Sequence, residues 1–317
     1  MSVYTPVSLM DAQHLLTGYA IGEATQISGI TEGVVNSNFR LSTTTGQYIL
    51  TLVENPEHGK ELPWLITLLD QLAATQLPTP RPVRDQQGLA IHPLHGKASL
   101  LVTLLPGVSP QHPTPHQCRQ IGETLARIHT LPRGKLEVRD NPMGIARWYL
   151  LLHQLTTRMA AGELRWLQEE LGQAKLFFAN PHLPTGLCHA DLFPDNSLFQ
   201  EEQLTGVIDF HFACHDKWLY DLAISINAWC FRPDGTLDDA LLTPLWQGYQ
   251  RHRQVTDLEI AWLDQACRTA SLRFALTRLV ARWFPKAGAT VTCKPPEEYL
   301  NRLQFHRDNS IRQWITR

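Results

Sequence analysis

Apolar residues recur at strand spacing through the first third of this chain and at helix spacing through most of the remainder. Ser8-Leu-Met-Asp11 has capping-box spacing, and Leu9, Leu15 and Leu16 give a partial apolar face, so a short opening helix is expected. Strand-like pieces on either side of residues 29–36, and a third over 46–53, predict a three-stranded antiparallel start. Leu65, Leu68, Leu69 and Leu72 lie at helical spacing and predict a helix over residues 62–74. Pro78, Pro80 and Pro82 then force an extended crossing, because each disfavours helix in the residue before it. Two more strands are expected near 89–92 and 98–105.

Residues 108–115 are rich in proline and histidine, and the pattern turns helical directly after them, which marks a hinge. Thr114-Pro-His-Gln117 supplies a cap, a proline at the first helical position and a Gln at the third, with Ile121, Leu125 and Ile128 as the buried stripe. His129 closes this helix and reads as a partner of its C-terminal dipole. A loop and one or two helices are expected between 134 and 180. Leu198-Phe199 and Val207-Ile208 flank a turn at 201–203 and predict a hairpin. Everything beyond it reads as helical, with long runs over 216–231, 257–283 and 296–315; Thr256-Asp-Leu-Glu259 caps the second of these. The expected architecture is α+β: a small antiparallel-sheet lobe over residues 1–105 and a larger, mainly helical lobe over 106–317.

The hairpin brings in the chemistry. Asp191, Asn196 and Asp209 follow one another in the order that phosphoryl transfer to a hydroxyl needs, where catalysis is mostly positioning and charge neutralisation. One carboxylate, Asp191, faces the acceptor hydroxyl; a neutral oxygen from Asn196 and the carboxylate of Asp209 hold a magnesium ion against the phosphates. Pro194 keeps the loop between them non-helical. Upstream, Gly29 and Gly33 let the backbone approach a phosphate closely, although glycine between two strands is by itself an ordinary hairpin feature. Cys188-His189 and His211-Phe-Ala-Cys214-His215 contain zinc-ligating residue types without the paired spacings of a structural zinc site, and His189 reads instead as a brace for the loop.

Composition narrows the partners. Of the 317 residues, 43% are hydrophobic and 18% charged, with a formal charge of −2, so the chain is globular and carries no electrostatic footprint for nucleic acid or an anionic membrane. A small molecule is the expected partner. Six scattered cysteines without a Cys-x-x-Cys pair, no export signal and no long apolar run place the chain in the cytoplasm as an expectation.

His189-Ala-Asp-Leu-Phe-Pro-Asp-Asn196, Val207-Ile-Asp-Phe210 and Tyr220-Asp-Leu-Ala223 together resemble the aminoglycoside phosphotransferase and choline kinase family, whose fold is similar to that of protein kinases. Within that family the chain looks most like the bacterial homoserine kinases. That likeness is carried by Asn36-Ser-Asn38, Tyr48-Ile-Leu-Thr-Leu52, Leu101-Val-Thr-Leu-Leu-Pro-Gly107, Phe212-Ala-Cys214 and Asn227-Ala-Trp-Cys230. The resemblance implies that ATP and Mg2+ are bound, that L-homoserine is the acceptor, and that Asp191 is the base with Asn196 and Asp209 on the metal. It further implies that the segment from Gly29 through Asn36 to Asn38 covers the phosphates, that Thr103 and Leu104 lie along the adenine, and that Asp221 braces the loop.

One departure stands out: kinases of this fold carry a lysine in the third strand, and this chain has Thr51 there. Arg40, on the same strand face as Asn38, is the candidate stand-in. For the acceptor, a carboxylate calls for arginine, from Arg273, Arg278 or Arg282, and an ammonium calls for Asp216. The competing readings are a kinase of another small alcohol, such as an aminoglycoside, choline or an amino alcohol, and a silent nucleotide-binding relative.

Overall fold

The computed structural model describes residues 5–30, 36–285 and 294–315 and divides into two compact units. Of the described residues, the first unit comprises those up to Pro106 with Gly134–Leu136, and the second comprises Gly107–Arg133, Glu137–Pro285 and those from 294 onwards.

In the first unit, helix α1 (Leu9–Leu16) is closed at its start by a reciprocal Ser8–Asp11 box. Strands β1 (Ala24–Ile30), β2 (Ser37–Thr43) and β3 (Gln47–Leu52) form an antiparallel meander. After α2 (Pro56–Gly59) and α3 (Leu62–Ala73), β4 (Ile91–Leu94) and β5 (Lys97–Thr103) complete a five-stranded sheet ordered β1-β2-β3-β5-β4. Alternation sorts its two faces. Phe39, Leu41, Leu50, Leu52 and Leu101 bury against Ala12 and Leu16 of α1, while Leu100 and Val53 pack with Leu62 and Ile66 of α3. The second face also holds Asn38, whose cross-strand partner is Thr51.

The second unit opens with α4 (Pro115–His129), capped by Thr114 and Gln117, followed by α5 (Ile145–Leu155) and α6 (Ala161–Ala179). Two short antiparallel ladders follow. Strand β6 (Thr185–Cys188) pairs with β9 (Cys214–Lys217), and β7 (Ser197–Gln200) pairs with β8 (Gln203–Val207). The helices α7 (Trp218–Trp229), α8 (Asp239–Gln250), α9 (Asp257–Trp283), α10 (Glu297–Asp308) and α11 (Arg312–Ile315) complete the unit. The 27-residue α9 packs against α5, α6, α7 and α10, and its inner face is buried from Leu263 to Leu279. Residues 214–217, where the pattern predicts helix, are strand in the fold, because backbone pairing with β6 fixes them before α7 begins at Trp218.

Candidate active site

Strand β6 ends at Cys188 and delivers His189 to Asn196 as a loop closed by a single turn of 3-10 helix at Pro194–Asn196. Ala190 sits in the left-handed region at φ 61°, an uncommon conformation for a residue with a Cβ, and its neighbours hold it there. The fully buried Asp221 carboxylate of α7 accepts the His189 N–H at 2.6 Å and the Ala190 N–H at 2.8 Å. A guanidinium N–H of Arg273 donates to the Ala190 carbonyl. His189 itself is buried and neutral: Nε2–H donates to the Ile208 carbonyl at 3.1 Å, and Nδ1 accepts the Asp191 N–H at 3.2 Å. Burial pushes its pKa down, so the ring keeps this tautomer.

The loop holds Asp191 at both ends of the residue. Asn196 Nδ2 donates to its backbone carbonyl at 2.8 Å and to its Oδ2 at 3.2 Å, while Arg273 Nη2 stands 3.8 Å from Oδ1. Burial pushes the Asp191 carboxyl up to about 7; Arg273 opposes that shift, and the carboxylates of Asp209 and Asp195 add to it. With its amide nitrogen committed to Asp191, Asn196 has Oδ1 left over. The Ile208 N–H donates to the Asn196 carbonyl at 3.0 Å, which ties the start of β7 to the residue preceding Asp209. Asp209 also lies in the left-handed region at φ 62°, with a 43% exposed side chain whose Oδ1 accepts from His211 Nδ1 at 2.8 Å. Burial acts to raise its pKa, but His211 and the nearby His189 hold it below the ordinary carboxylate value. One neutral amide oxygen and one ionised carboxylate oxygen, both without a hydrogen-bond donor among the described residues, are a hard-oxygen pair that fits a magnesium ion.

Behind the loop runs a buried chain of donors that the sequence reading does not contain. His129, expected as a partner of the helix dipole, is buried and neutral: its Nε2 donates to Asp221 at 3.1 Å, and its Nδ1 accepts from the Tyr249 hydroxyl at 2.7 Å. Tyr249 accepts in turn from Arg253 Nη1 at 3.1 Å, and Arg253 Nη2 meets Glu259 at 2.8 Å. Glu259 also closes the capping box of α9 through the Thr256 N–H at 3.0 Å. Although burial acts to raise the Asp221 pKa, the hydrogen bonds from His129 and the Ala190 N–H hold it down, and burial keeps His129 neutral. The only hint in the sequence is the Thr256-x-x-Glu259 box, which announces a cap but not the long-range partners of Glu259.

The remaining expected residues are dispersed. In the first unit, Gly29 lies in β1 opposite Phe39; Asn36 is buried and its Oδ1 accepts the Glu54 N–H at 3.4 Å; Gly33 falls outside the described residues. Thr51 donates to Asn38 Oδ1 at 2.7 Å, so a hydroxyl to amide bond occupies the strand position where a lysine would project. Arg40 is exposed on β2 opposite Ser28 and Ile49. Thr103 accepts the Arg81 N–H at 3.0 Å, and the Leu104 N–H donates to Gln47 at 3.3 Å.

In the second unit, Arg273 stands beside Asp191, whereas Arg278 bonds Glu298 and Arg282 bonds Glu297 on α10. Asp216 accepts from Asn141 at 2.7 Å and from the Lys217 N–H at 2.7 Å.

The chain has known counterparts. The model of the phosphotransferase enzyme family matches residues 26–258. The chain is 42% identical to a homoserine kinase of Methylobacterium radiotolerans, over 97% of this chain and 96% of that one, and 40% identical to a homoserine kinase of Xanthobacter autotrophicus over the same shares. Among solved structures, an amicoumacin kinase in complex with AMP-PNP and Ca2+ superposes with a TM-score of 0.69 at 14% identity, covering 96% of this chain and 93% of the other. A spectinomycin phosphotransferase with ADP gives 0.64 at 14% identity, covering 96% and 95%. With its α+β, protein-kinase-like fold, this chain belongs to the phosphotransferase enzyme family.

Proposed function

We propose that the chain is an ATP-dependent homoserine kinase of the cytoplasm, transferring the γ-phosphoryl group of MgATP to the side-chain hydroxyl of L-homoserine. The observation that carries this reading is the fixing of Asp191 by the Asn196 amide in a loop whose backbone is held from behind by Asp221. The full-length likeness to curated homoserine kinases supports the acceptor. Asp191 accepts the hydroxyl proton as the oxygen bonds to phosphorus and ADP leaves, and a carboxyl with a pKa near 7 is suited to exchanging a proton at neutral pH. Asn196 Oδ1 and Asp209 would hold Mg2+, which when bound neutralises charge developing on the phosphates. Arg273 steadies the Ala190 carbonyl and Asp191 together. His189 and Asp221 are positioning residues.

On the nucleotide side, backbone at Gly29, Asn36 and Asn38 covers the phosphates, Arg40 supplies the cation absent at Thr51, and Thr103 and Leu104 line the adenine. Asp191→Ala is expected to lower phosphoryl transfer by about 10²- to 10⁴-fold while ATP binding persists. Asp209→Ala is expected to weaken magnesium-dependent ATP binding as well. Steady-state ADP release together with nucleotide titration separates the two, and undiminished turnover by Asp191→Ala would contradict the mechanism.

A further inference from the structure

Helices α9 and α10 carry an ionic cluster to which the reading above gives no task. Arg302 Nη2 bonds the Glu298 carboxylate at 2.6 Å, and Arg278 Nη1 bonds its other oxygen and the Pro295 carbonyl at 3.0 Å. Two guanidiniums thus share one carboxylate. The Arg302 side chain is 7% exposed, and among the described residues its buried Nε and Nη1 have no hydrogen-bond partner. An orphaned donor on a buried cation is costly, and such a group calls for an ion, a water or a functional role to account for it.

A run of aromatic contacts links this cluster to the loop that carries Asp191. Arg302 and Arg278 stack on the Tyr299 ring, with Cζ 4.6 Å and 4.5 Å from its centroid. Tyr299 packs on Phe274 at 5.0 Å and Phe193 at 6.2 Å, and those two rings meet at 4.8 Å. Phe193 follows Asp191 by two residues in the same loop, and Phe274 adjoins the Arg273 that faces Asp191. The buried Tyr299 hydroxyl likewise has no partner among the described residues; burial pushes its pKa up, and it feels the charges of both arginines, Glu298 and Asp191.

We propose that Arg302, Arg278 and Glu298 form the subsite for the α-amino-acid end of the acceptor, the guanidiniums donating to its carboxylate and Glu298 accepting from its ammonium. The inference rests on the homoserine reading. An α-amino acid presents both charges on one carbon and so requires a cation and an anion side by side, which Arg302 and Glu298 are. Glu298 is 38% exposed, and each of its oxygens, bonded to one guanidinium, keeps a lone pair for an ammonium. Acceptors without a carboxylate would leave the surplus guanidinium unanswered.

The test uses the full-length chain, with Arg302→Gln, Arg302→Lys and Glu298→Gln, and compares kcat/KM for three acceptors. These are L-homoserine, the diol in which a hydroxymethyl replaces the carboxylate, and the hydroxy acid lacking the amino group. Arg302→Gln should lower the homoserine-to-diol preference by about a hundredfold, the worth of a charge-assisted hydrogen bond to a carboxylate, chiefly through KM for homoserine with KM for ATP unmoved. Arg302→Lys should restore part of that preference, and Glu298→Gln should instead erode the preference over the hydroxy acid. If Arg302→Gln does not fold, the other two variants decide by the same ratios. An unchanged ratio in the folded variants, or equal loss on all acceptors, would overturn this subsite alone. Failure of the unaltered chain to phosphorylate homoserine would overturn the homoserine reading and the subsite with it.

Discussion

At the scale of single residues, buried polar groups decide more than exposed ones. Asp221 has no exposure, and its ionised carboxylate is answered by two backbone N–H groups and one imidazole N–H, so each donor it satisfies would be orphaned by its loss. His306 shows the same economy in the opposite sense. Its Nε2 donates to Asn227 Oδ1 at 2.7 Å, and burial, with Arg302 and Arg268 nearby, holds its pKa down to about 3.

An unfolded histidine titrates near 6.5, so between those two values the unfolded chain binds the extra proton and stability is lost as pH falls. Each pH unit below about 6 costs on the order of 1 kcal/mol from this group. Asp191, raised in the fold, contributes with the opposite sign over roughly pH 4 to 7. Because the two contributions oppose each other between pH 7 and 5, the difference between proteins is the test: on acidification the thermal midpoint of the unaltered chain is expected to shift further in the destabilising direction than that of His306→Gln, which keeps a donor for Asn227. Identical slopes in the two proteins would refute the assignment. Asp191, Asn196 and Asp209 were visible in the sequence because they sit within one short loop and hairpin. The Tyr249 and Arg302 contacts were not, since they join residues far apart in the chain.

Among elements, α4 and α8 depend on two glycines. A Cβ on Gly122 would stand 2.0 Å from the Leu245 carbonyl oxygen, and one on Gly248 2.2 Å from that of Arg119, so the helices meet backbone to backbone. That approach sets His129 of α4 against Tyr249 of α8. Gly248→Ala forces the helices apart, and overpacking of this kind costs about 1–3 kcal/mol. A lower urea midpoint at unchanged slope is expected; an unchanged midpoint would show that the contact yields. The hydrophobic pattern marked this region as helical without delimiting α8, whose Pro244 and Gly248 read locally as breakers. The β6 and β9 strands, four residues each, were too short to leave a period, whereas the meander β1-β2-β3 and the long α9 carried clear ones.

For the whole molecule, the α+β class followed from the change of period along the chain, and the family from motifs that the fold gathers within the second unit. The first unit departs from the expected kinase pattern at Thr51, where a short hydrogen bond to Asn38 replaces a projecting lysine. The substrate is the part least dictated by fold, since solved relatives at 14% identity are named as kinases of other compounds. Magnesium-dependent ADP release should therefore be measured across L-homoserine, L-serine, L-threonine, choline and an aminoglycoside. A rate with homoserine far above every other acceptor is the predicted result. Turnover centred on another acceptor, or silence throughout with ATP still bound, would contradict it.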